Sequence, residues 1–541
     1  MAERVVVMSI LGEAIGRVVC VSGSQIITLL DPHTFDGEGH SQGEIQKGRM
    51  VKMQTSNTSV YGLINGLSVP APSNEGQESE ISIVEIEVLG EVEQEAHNGT
   101  NGFKRGVSVF PALGDAVYLA TPDDLARVYS RDEPAAMRIG AIHQDRSLPA
   151  SIVVNDLLGK HFAVLGTTGT GKSCAVTLIL HSILERHPNA HVVLLDPHGE
   201  YAPAFSDMAE LLDPTTLELP YWLLNFEEIE EIVLGTGEPA ADRPSAANIL
   251  RDLILAAKRR YRRDEDGPPI TVDTPVPYSL SDLIASIDEA AGRLDKATKA
   301  TPYLRLKARL RALRDDVRFS FMFGGISVRD NMSKILSRIF RVPVDGKPIT
   351  ILDISSVPWE ILNVVVSLLG RLTFDLALWS DRAVPILLVC EEAHRYAPTS
   401  GGVGFEPTKR ALARIAKEGR KYGVSLCLVS QRPSELAVEV LSQCNTIFAF
   451  RMSNQKDQEF VRGVMSDAAL GLLDFLPSLR NAEAIAVGEG VSVPMRLTFD
   501  TLDETKRPRG ATAAFSEAWQ DGESAEGFLD SVVERWRYQR R

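Results

Sequence analysis

Eight contiguous residues, Gly166-Thr-Thr-Gly-Thr-Gly-Lys-Ser173, constrain the fold of this chain more than any other stretch. They fit the pattern G-x-x-x-x-G-K-[ST] at every required position. The apolar run His161 to Leu165 precedes them and reads as a strand, and the run Cys174 to Arg186 follows and reads as a helix. Glycines at these places let backbone N–H groups wrap a string of phosphates, and the helix N-terminus adds partial positive charge at the same spot. The candidate nucleotide-binding residues are therefore Gly166, Thr167, Thr168, Gly169, Thr170, Gly171, Lys172, Ser173 and Cys174. Lys172 is expected at the β- and γ-phosphates of ATP, and the Ser173 hydroxyl on Mg²⁺.

A loop of this kind sits in an open α/β sheet, and the sequence carries the remaining strands. His191 to Leu195, Thr350 to Ile354, Pro385 to Cys390, Ser425 to Ser430 and Thr446 to Arg451 are short apolar runs separated by helical segments. That alternation predicts a parallel sheet covered on both faces. Residues 223–335 interrupt it with predicted helices at Phe226 to Leu234, Arg243 to Arg263, Ser279 to Ala291 and Tyr303 to Arg314. Before the sheet, residues 1 to about 130 are rich in short β-branched runs, such as Arg4 to Ile10, Gly16 to Ser22 and Gln25 to Leu30, which suggests a small barrel. Val84, Ile86 and Val88 alternate with Glu85 and Glu87, the pattern of a strand with one wet face. Eight glutamates and no Lys or Arg lie between Glu75 and Glu95, read as a solvated face plus a loop.

Three further clusters place chemistry at strand ends, where open α/β sheets bind ligands. Pro385-Ile-Leu-Leu-Val-Cys-Glu-Glu-Ala-His394 delivers two adjacent acids. Glu391 is expected in the Mg²⁺ shell, one carbon longer than the more usual Asp, and Glu392 as general base. Ser425 to Ser434 ends its strand in Ser430 and Gln431, and Gln431 is placed to touch a γ-phosphate or the attacking water if that strand neighbours the phosphate-loop strand. Asp196-Pro-His-Gly-Glu-Tyr201 brings Asp196 as a third candidate for the metal shell, or as turn punctuation. Arg414, Lys417, Arg420 and Lys421 lie at helical spacing over Lys409 to Tyr422, and Arg420, nearest the next strand, is the candidate for a cation acting on a neighbouring subunit's phosphate.

Composition narrows the classes. The net charge of −15 argues against a surface coated for nucleic acid. It leaves room for a local basic channel, since screening confines a charge to roughly 10 Å in moderate salt. Five scattered cysteines without a CxxC or Cys/His cluster suggest neither a zinc site nor a disulfide framework. No run of about 18 uninterrupted apolar residues occurs, and the opening MAERVVVMSI does not read as a signal peptide, so a cytoplasmic protein without a membrane is expected.

Taken together, Leu194 to Tyr201, Val389 to His394, Lys417 to Gly423, Ser430-Gln-Arg-Pro-Ser434 and the phosphate loop resemble the HerA ATPases of the HerA/FtsK superfamily, over residues 1–505. The resemblance implies a RecA-like P-loop NTPase core with an N-terminal β-barrel and a helical insertion. The expected limits are 1–135 for the barrel, 136–222 and 336–505 for the core, 223–335 for the insertion and 506–541 for a C-terminal helical extension. It also implies a homohexameric ring that hydrolyses ATP at subunit interfaces and threads DNA through its pore. The partner would be a NurA-type nuclease or a defence effector, such as a sirtuin-like NAD hydrolase or another nuclease. The family places a trans-acting arginine ahead of the phosphate-loop strand, where Lys160 stands in this chain. Lys409 and Arg410, after the glycine-rich loop Thr399 to Gly404, are the candidate pore cations. The basic group Arg305, Lys307, Arg309, Arg311 and Arg314 spreads around its helix and reads as solvated surface. The second reading is a nucleotide-gated hexameric scaffold that activates an effector without needing processive translocation.

Overall fold

The computed structural model describes residues 13–31, 45–69, 82–93, 102–130, 135–235, 241–262, 267–293, 297–324, 328–399, 406–465, 470–510, 519 and 527–538. The expected strand Arg4 to Ile10, half of the glutamates between Glu75 and Glu95, and the glycine-rich loop beyond Thr399 lie outside them.

The chain divides into two compact units, one of residues 1–183, 431–434 and 444–501, the other of residues 184–430, 435–443 and 502–541. The first unit opens with strands β1 (Ala14–Ser22), β2 (Gln25–Leu30), β3 (Met50–Gln54), β4 (Thr58–Ser68), β5 (Ile83–Glu93), β6 (Lys104–Arg105) and β7 (Ala116–Leu119). They run antiparallel in the order β2-β1-β7-β3-β4-β5, and pairing of β2 with β5 closes a six-stranded barrel. Ile15, Val18, Ile26, Val51, Met53, Val60, Val84, Ile86 and Val117 fill its interior, the inward half of each alternating strand. One expectation for β5 fails. Glu85 is exposed, but Glu87 and Glu91 are buried: Glu87 stands opposite buried Leu63 of β4, whereas Glu85 stands opposite Gly66, towards the exposed end of that strand. The Glu91 carboxylate there accepts a hydrogen bond from Ser108 Oγ at 2.6 Å.

Beyond the barrel come β8 (Ala136–Ile142), β9 (Pro149–Val153), β10 (Phe162–Leu165) and helix α1 (Lys172–Arg186). There follow β11 (His191–Asp196), β12 (Ala209–Leu212), α2 (Phe226–Leu234), α3 (Arg243–Tyr261), α4 (Leu280–Gly292), α5 (Ala297–Asp315), β13 (Ile349–Asp353) and α6 (Trp359–Trp379). The chain continues with β14 (Ile386–Cys390), α7 (Glu406–Glu418), β15 (Val424–Ser430), β16 (Thr446–Phe450), β17 (Glu483–Gly488), β18 (Met495–Phe499) and the exposed α8 (Phe528–Tyr538). In the second unit β12, β13, β11, β14 and β15 lie side by side, all parallel, as the apolar runs predicted. The first unit departs from that expectation. β10 and β16 are parallel, but β17, β18, β8 and β9 extend the sheet antiparallel. β17 is Glu-Ala-Ile-Ala-Val-Gly, too poor in β-branched residues to announce a strand.

The insertion is helical, as expected, and is pinned to the second unit's core through one glutamate. Glu228 closes the capping box of α2 with Asn225, and its carboxylate also meets Arg371 of α6 at 3.0 Å and Ser367 Oγ at 3.0 Å. A stretch of α6, Ile361–Trp379, is long and apolar enough to cross a membrane by composition. It is 67% buried against the protein, including α2 and α7, which is the position of a core helix. The basic residues of α5 mostly find intrachain partners: Arg305 meets Asp242, Lys307 meets Asp288, and Arg309 donates to the Val233 and Leu234 carbonyls.

Candidate functional site

The phosphate loop lies in the first unit between β10 and α1. Its glycines take backbone angles closed to other residues, with φ of 154° at Gly166, 76° at Gly169 and 104° at Gly171. A side chain at Gly166 would also strike the Phe450 Cβ at 2.6 Å, so the loop rests directly on the end of β16. The Arg451 carbonyl, the next residue along, accepts both the Thr167 N–H and its hydroxyl at 3.0 Å. On the far side the Ala482 N–H donates to the Thr170 carbonyl at 2.9 Å. Lys172 Nζ reaches back over the loop to the Thr167 carbonyl at 2.9 Å, and Thr168 Oγ1 donates to the Gln431 side-chain carbonyl. The structure thus brings Gln431 to the loop as anticipated. A cradle of glycines in positive-φ backbone, with a helix N-terminus and a lysine folded over it, fits a polyphosphate. The supporting Arg451 and Ala482 were not legible beforehand, since they come from remote strands' ends.

Lys160 and Cys174 share this unit. Lys160 is ion-paired with Glu489, which also accepts from Asn445 Nδ2 at 3.3 Å. Cys174 is exposed, on the first turn of α1.

The acid pair belongs to the second unit, at the C-terminal end of β14. Glu391 and Glu392 are 6% and 8% exposed. Glu391 Oε1 accepts a 2.5 Å hydrogen bond from the Tyr201 hydroxyl, and Oε2 accepts the Glu392 N–H at 3.2 Å. Glu392 itself adopts left-handed backbone, φ 52° and ψ 43°. That costs a non-glycine residue on the order of 1 kcal/mol and is typical of sites where strain serves placement. The Glu392 carboxylate stands between two imidazoles, His394 Nδ1 at 3.2 Å from Oε2 and His198 Nε2 at 3.7 Å from Oε1. His394 Nδ1 is also 3.2 Å from Ser430 Oγ, at the end of β15.

Of the two uses its motif allows, Asp196 shows the turn. Its Oδ1 accepts the N–H groups of His198 and Gly199 at 3.1 and 2.9 Å, and Oδ2 accepts that of Tyr201 at 3.0 Å. Burial pushes its carboxyl above the usual range despite these bonds. Both oxygens are committed to folding the loop that follows β11. Tyr201, His198 and His394 join the acids here; each lies within a strand-end motif, but spacing alone gives them no role.

The basic helix also differs. α7 ends at Glu418, and Arg420 and Lys421 fall in a 3₁₀ turn over Gly419–Lys421. A side chain at Gly419 would approach the Val424 carbonyl to 2.9 Å, so the chain turns there on a glycine and leaves the helical track. Arg420 is exposed and forms no ion pair with a described residue. Lys409 pairs with Glu439 at 3.0 Å, Arg410 with Glu227, and Arg414 stacks on Phe374 with its guanidinium 4.0 Å from the ring centre.

The family model described as "Helicase HerA, central domain" matches residues 137–373. Over that span the chain is similar to the HerA helicases. The DNA double-strand break repair helicase HerA of Pyrococcus furiosus is 27% identical over 471 residues, 80% of each chain. That of Saccharolobus solfataricus is 25% identical, over 85% of this chain and 88% of its own. Among solved structures, VirB4 of Thermoanaerobacter pseudethanolicus superposes with a TM-score of 0.52 at 15% identity, over 70% of this chain and 99% of its own. That likeness extends to the fold: a P-loop NTPase core, here joined to a barrel and a helical insertion.

Proposed function

We propose that this chain is a HerA-type ATPase, the subunit of a ring, a homohexamer, that hydrolyses ATP to move DNA, and that it serves a partner nuclease or defence effector. The observation that carries the reading is the pairing of an intact phosphate loop with a buried, ordered acid pair in one chain. The names borne by the relatives, repair helicases of comparable length, support extending it to DNA.

In this reading Gly166 to Ser173 grip the phosphates of ATP with backbone N–H groups and Lys172. Ser173 and Glu391 would hold Mg²⁺, which supplies charge neutralisation at the phosphoryl oxygens. Glu392 takes the proton of the attacking water, and Gln431 orients that water. We assign Asp196 to loop folding rather than to the metal shell, because its oxygens are already committed. Of the two candidate trans cations, Arg420 is the stronger, since Lys160 is ion-paired with Glu489. DNA phosphates would engage Lys409 and Arg410 by displacing Glu439 and Glu227.

The test is ATP hydrolysis measured with and without duplex DNA across a salt series. We expect DNA to stimulate turnover, and the stimulation to fade as salt rises, because phosphate contacts release counterions. Turnover indifferent to DNA at low salt would overturn the motor and favour the scaffold that activates an effector on binding ATP.

A further inference from the structure

The two histidines beside Glu392 have no part in the hydrolysis outlined above, yet the chain goes to some length to deliver them. Glu392 leaves β14 in left-handed backbone, so the sheet does not dictate where its side chain points. Its carboxylate is almost wholly buried, and Oε2 has no hydrogen bond among the described residues. A long side chain in that state would spread over several rotamers, which would blunt a base that must meet one water in one direction. His394 closes one side, 3.2 Å from Oε2, and is steadied by Ser430 Oγ at 3.2 Å. His198 closes the other, 3.7 Å from Oε1.

The loop bearing His198 is built from its own motif. Asp196 gathers the N–H groups of His198, Gly199 and Tyr201, and this single anchor aims two side chains at the two acids. Tyr201 takes Glu391 and His198 faces Glu392. The neighbouring carboxylates, which would otherwise repel and drift, are each given a separate partner.

We propose that His198 and His394 are positioning residues that clamp the Glu392 carboxylate from opposite sides and so set the direction of the base, with Asp196 as the anchor of the His198 arm. The proposal rests on the reading of Glu392 as general base.

The experiment uses the full-length protein and replaces each histidine in two ways. His394→Leu and His198→Ala remove the nitrogen that faces the carboxylate. His394→Asn keeps a polar atom near the Nδ1 position, and His198→Gln keeps one near Nε2. Steady-state ATP hydrolysis, binding of a fluorescent non-hydrolysable ATP analogue and thermal melting are measured on all four. We expect the first pair to lower kcat by about 10-fold to 100-fold, the scale of a misplaced catalytic group, with analogue binding unchanged. The nitrogen-keeping pair should recover most of that loss. In a Glu392→Gln background neither substitution should lower turnover further. Equal kcat in wild type and the apolar variants would overturn the clamp, as would isosteres no better than Leu and Ala. Loss of analogue binding in step with kcat would also count against it, as a merely structural role. His198 is 40% exposed on a loop, so its variants carry the test even if His394→Leu does not fold. Wild-type turnover in Glu392→Gln would instead sink the assignment of the base, a result separable from active histidine variants beside a dead Glu392→Gln.

Discussion

The phosphate loop and the acid pair solve opposite problems. The loop is built from backbone: three glycines at positive φ, a helix N-terminus and carbonyls from Arg451 and Thr167. Only Lys172 brings charge. The acid pair is built from side chains that three separate stretches contribute: His198 and Tyr201, Glu391, Glu392 and His394, and Ser430. A backbone device tolerates little substitution but works as one contiguous string. A side-chain device depends on distant segments meeting, and its parts fail one at a time.

The largest expected effect sets the two devices against each other. Lys172→Ala should abolish nucleotide binding together with turnover, whereas Glu392→Gln should bind nucleotide as wild type does and turn none over. Equilibrium binding of a fluorescent ATP analogue, beside phosphate release, reads both. If Lys172→Ala binds normally, or Glu392→Gln binds nothing, the division of labour between loop and acids collapses.

A smaller effect sharpens what the acid side receives from outside its own chain. Arg420 is exposed on its 3₁₀ turn and should act across a subunit interface. Arg420→Ala should bind nucleotide, keep its oligomeric state and lose most turnover, since a cation on the transferring phosphoryl group is worth about 10³-fold or more. Mixing it with Lys172→Ala subunits should restore part of the activity. Mixed rings as inactive as either parent, with subunit exchange demonstrated, would count against Arg420 and leave Lys160 as the alternative.

The smallest effect concerns stability away from both devices. Burial pushes the Lys258 ammonium of α3 from 10.5 down to about 8, while Nζ donates to the Val272 and Thr274 carbonyls at 2.6 and 2.7 Å. The depressed value belongs to a base, so between pH 8 and 10.5 the unfolded chain holds more protons than the folded one. Stability contributed at this site therefore rises with pH across that window. Denaturant melts at several pH values should show the rise in wild type, and Lys258→Met should flatten it. Identical slopes in the two proteins would refute the assignment.

The same contrast explains what was legible in the sequence. The phosphate loop could be read in full because strand, glycines, lysine and helix follow one another without a gap. The parallel strands β11, β13, β14 and β15 could be read because burial on both faces leaves continuous apolar runs. The antiparallel strand β17 could not, since alanines and a glycine mute its pattern. Arg420 was placed on a helix because periodicity does not register that Gly419 packs against the Val424 carbonyl. For Asp196 the sequence leaves two uses open, metal shell and turn, because a carboxylate at a strand end suits both; the three N–H groups around it show the turn. Alternation alone puts Glu87 in water with Glu85, and only the buried part of β4 opposite it, at Leu63, separates the two.

The closure of the N-terminal barrel carries a consequence for recognition. β2 seals against β5, and where β5 runs on past that seam, Lys104 and Arg105 pair with it at Gly90 and Glu91. Its described strands offer little unsatisfied backbone edge to a passing peptide, so capture by strand addition is disfavoured. Whatever docks on this barrel must read side chains and loops. Such a surface can change its preference one residue at a time while the hydrogen-bonded frame beneath it stays the same.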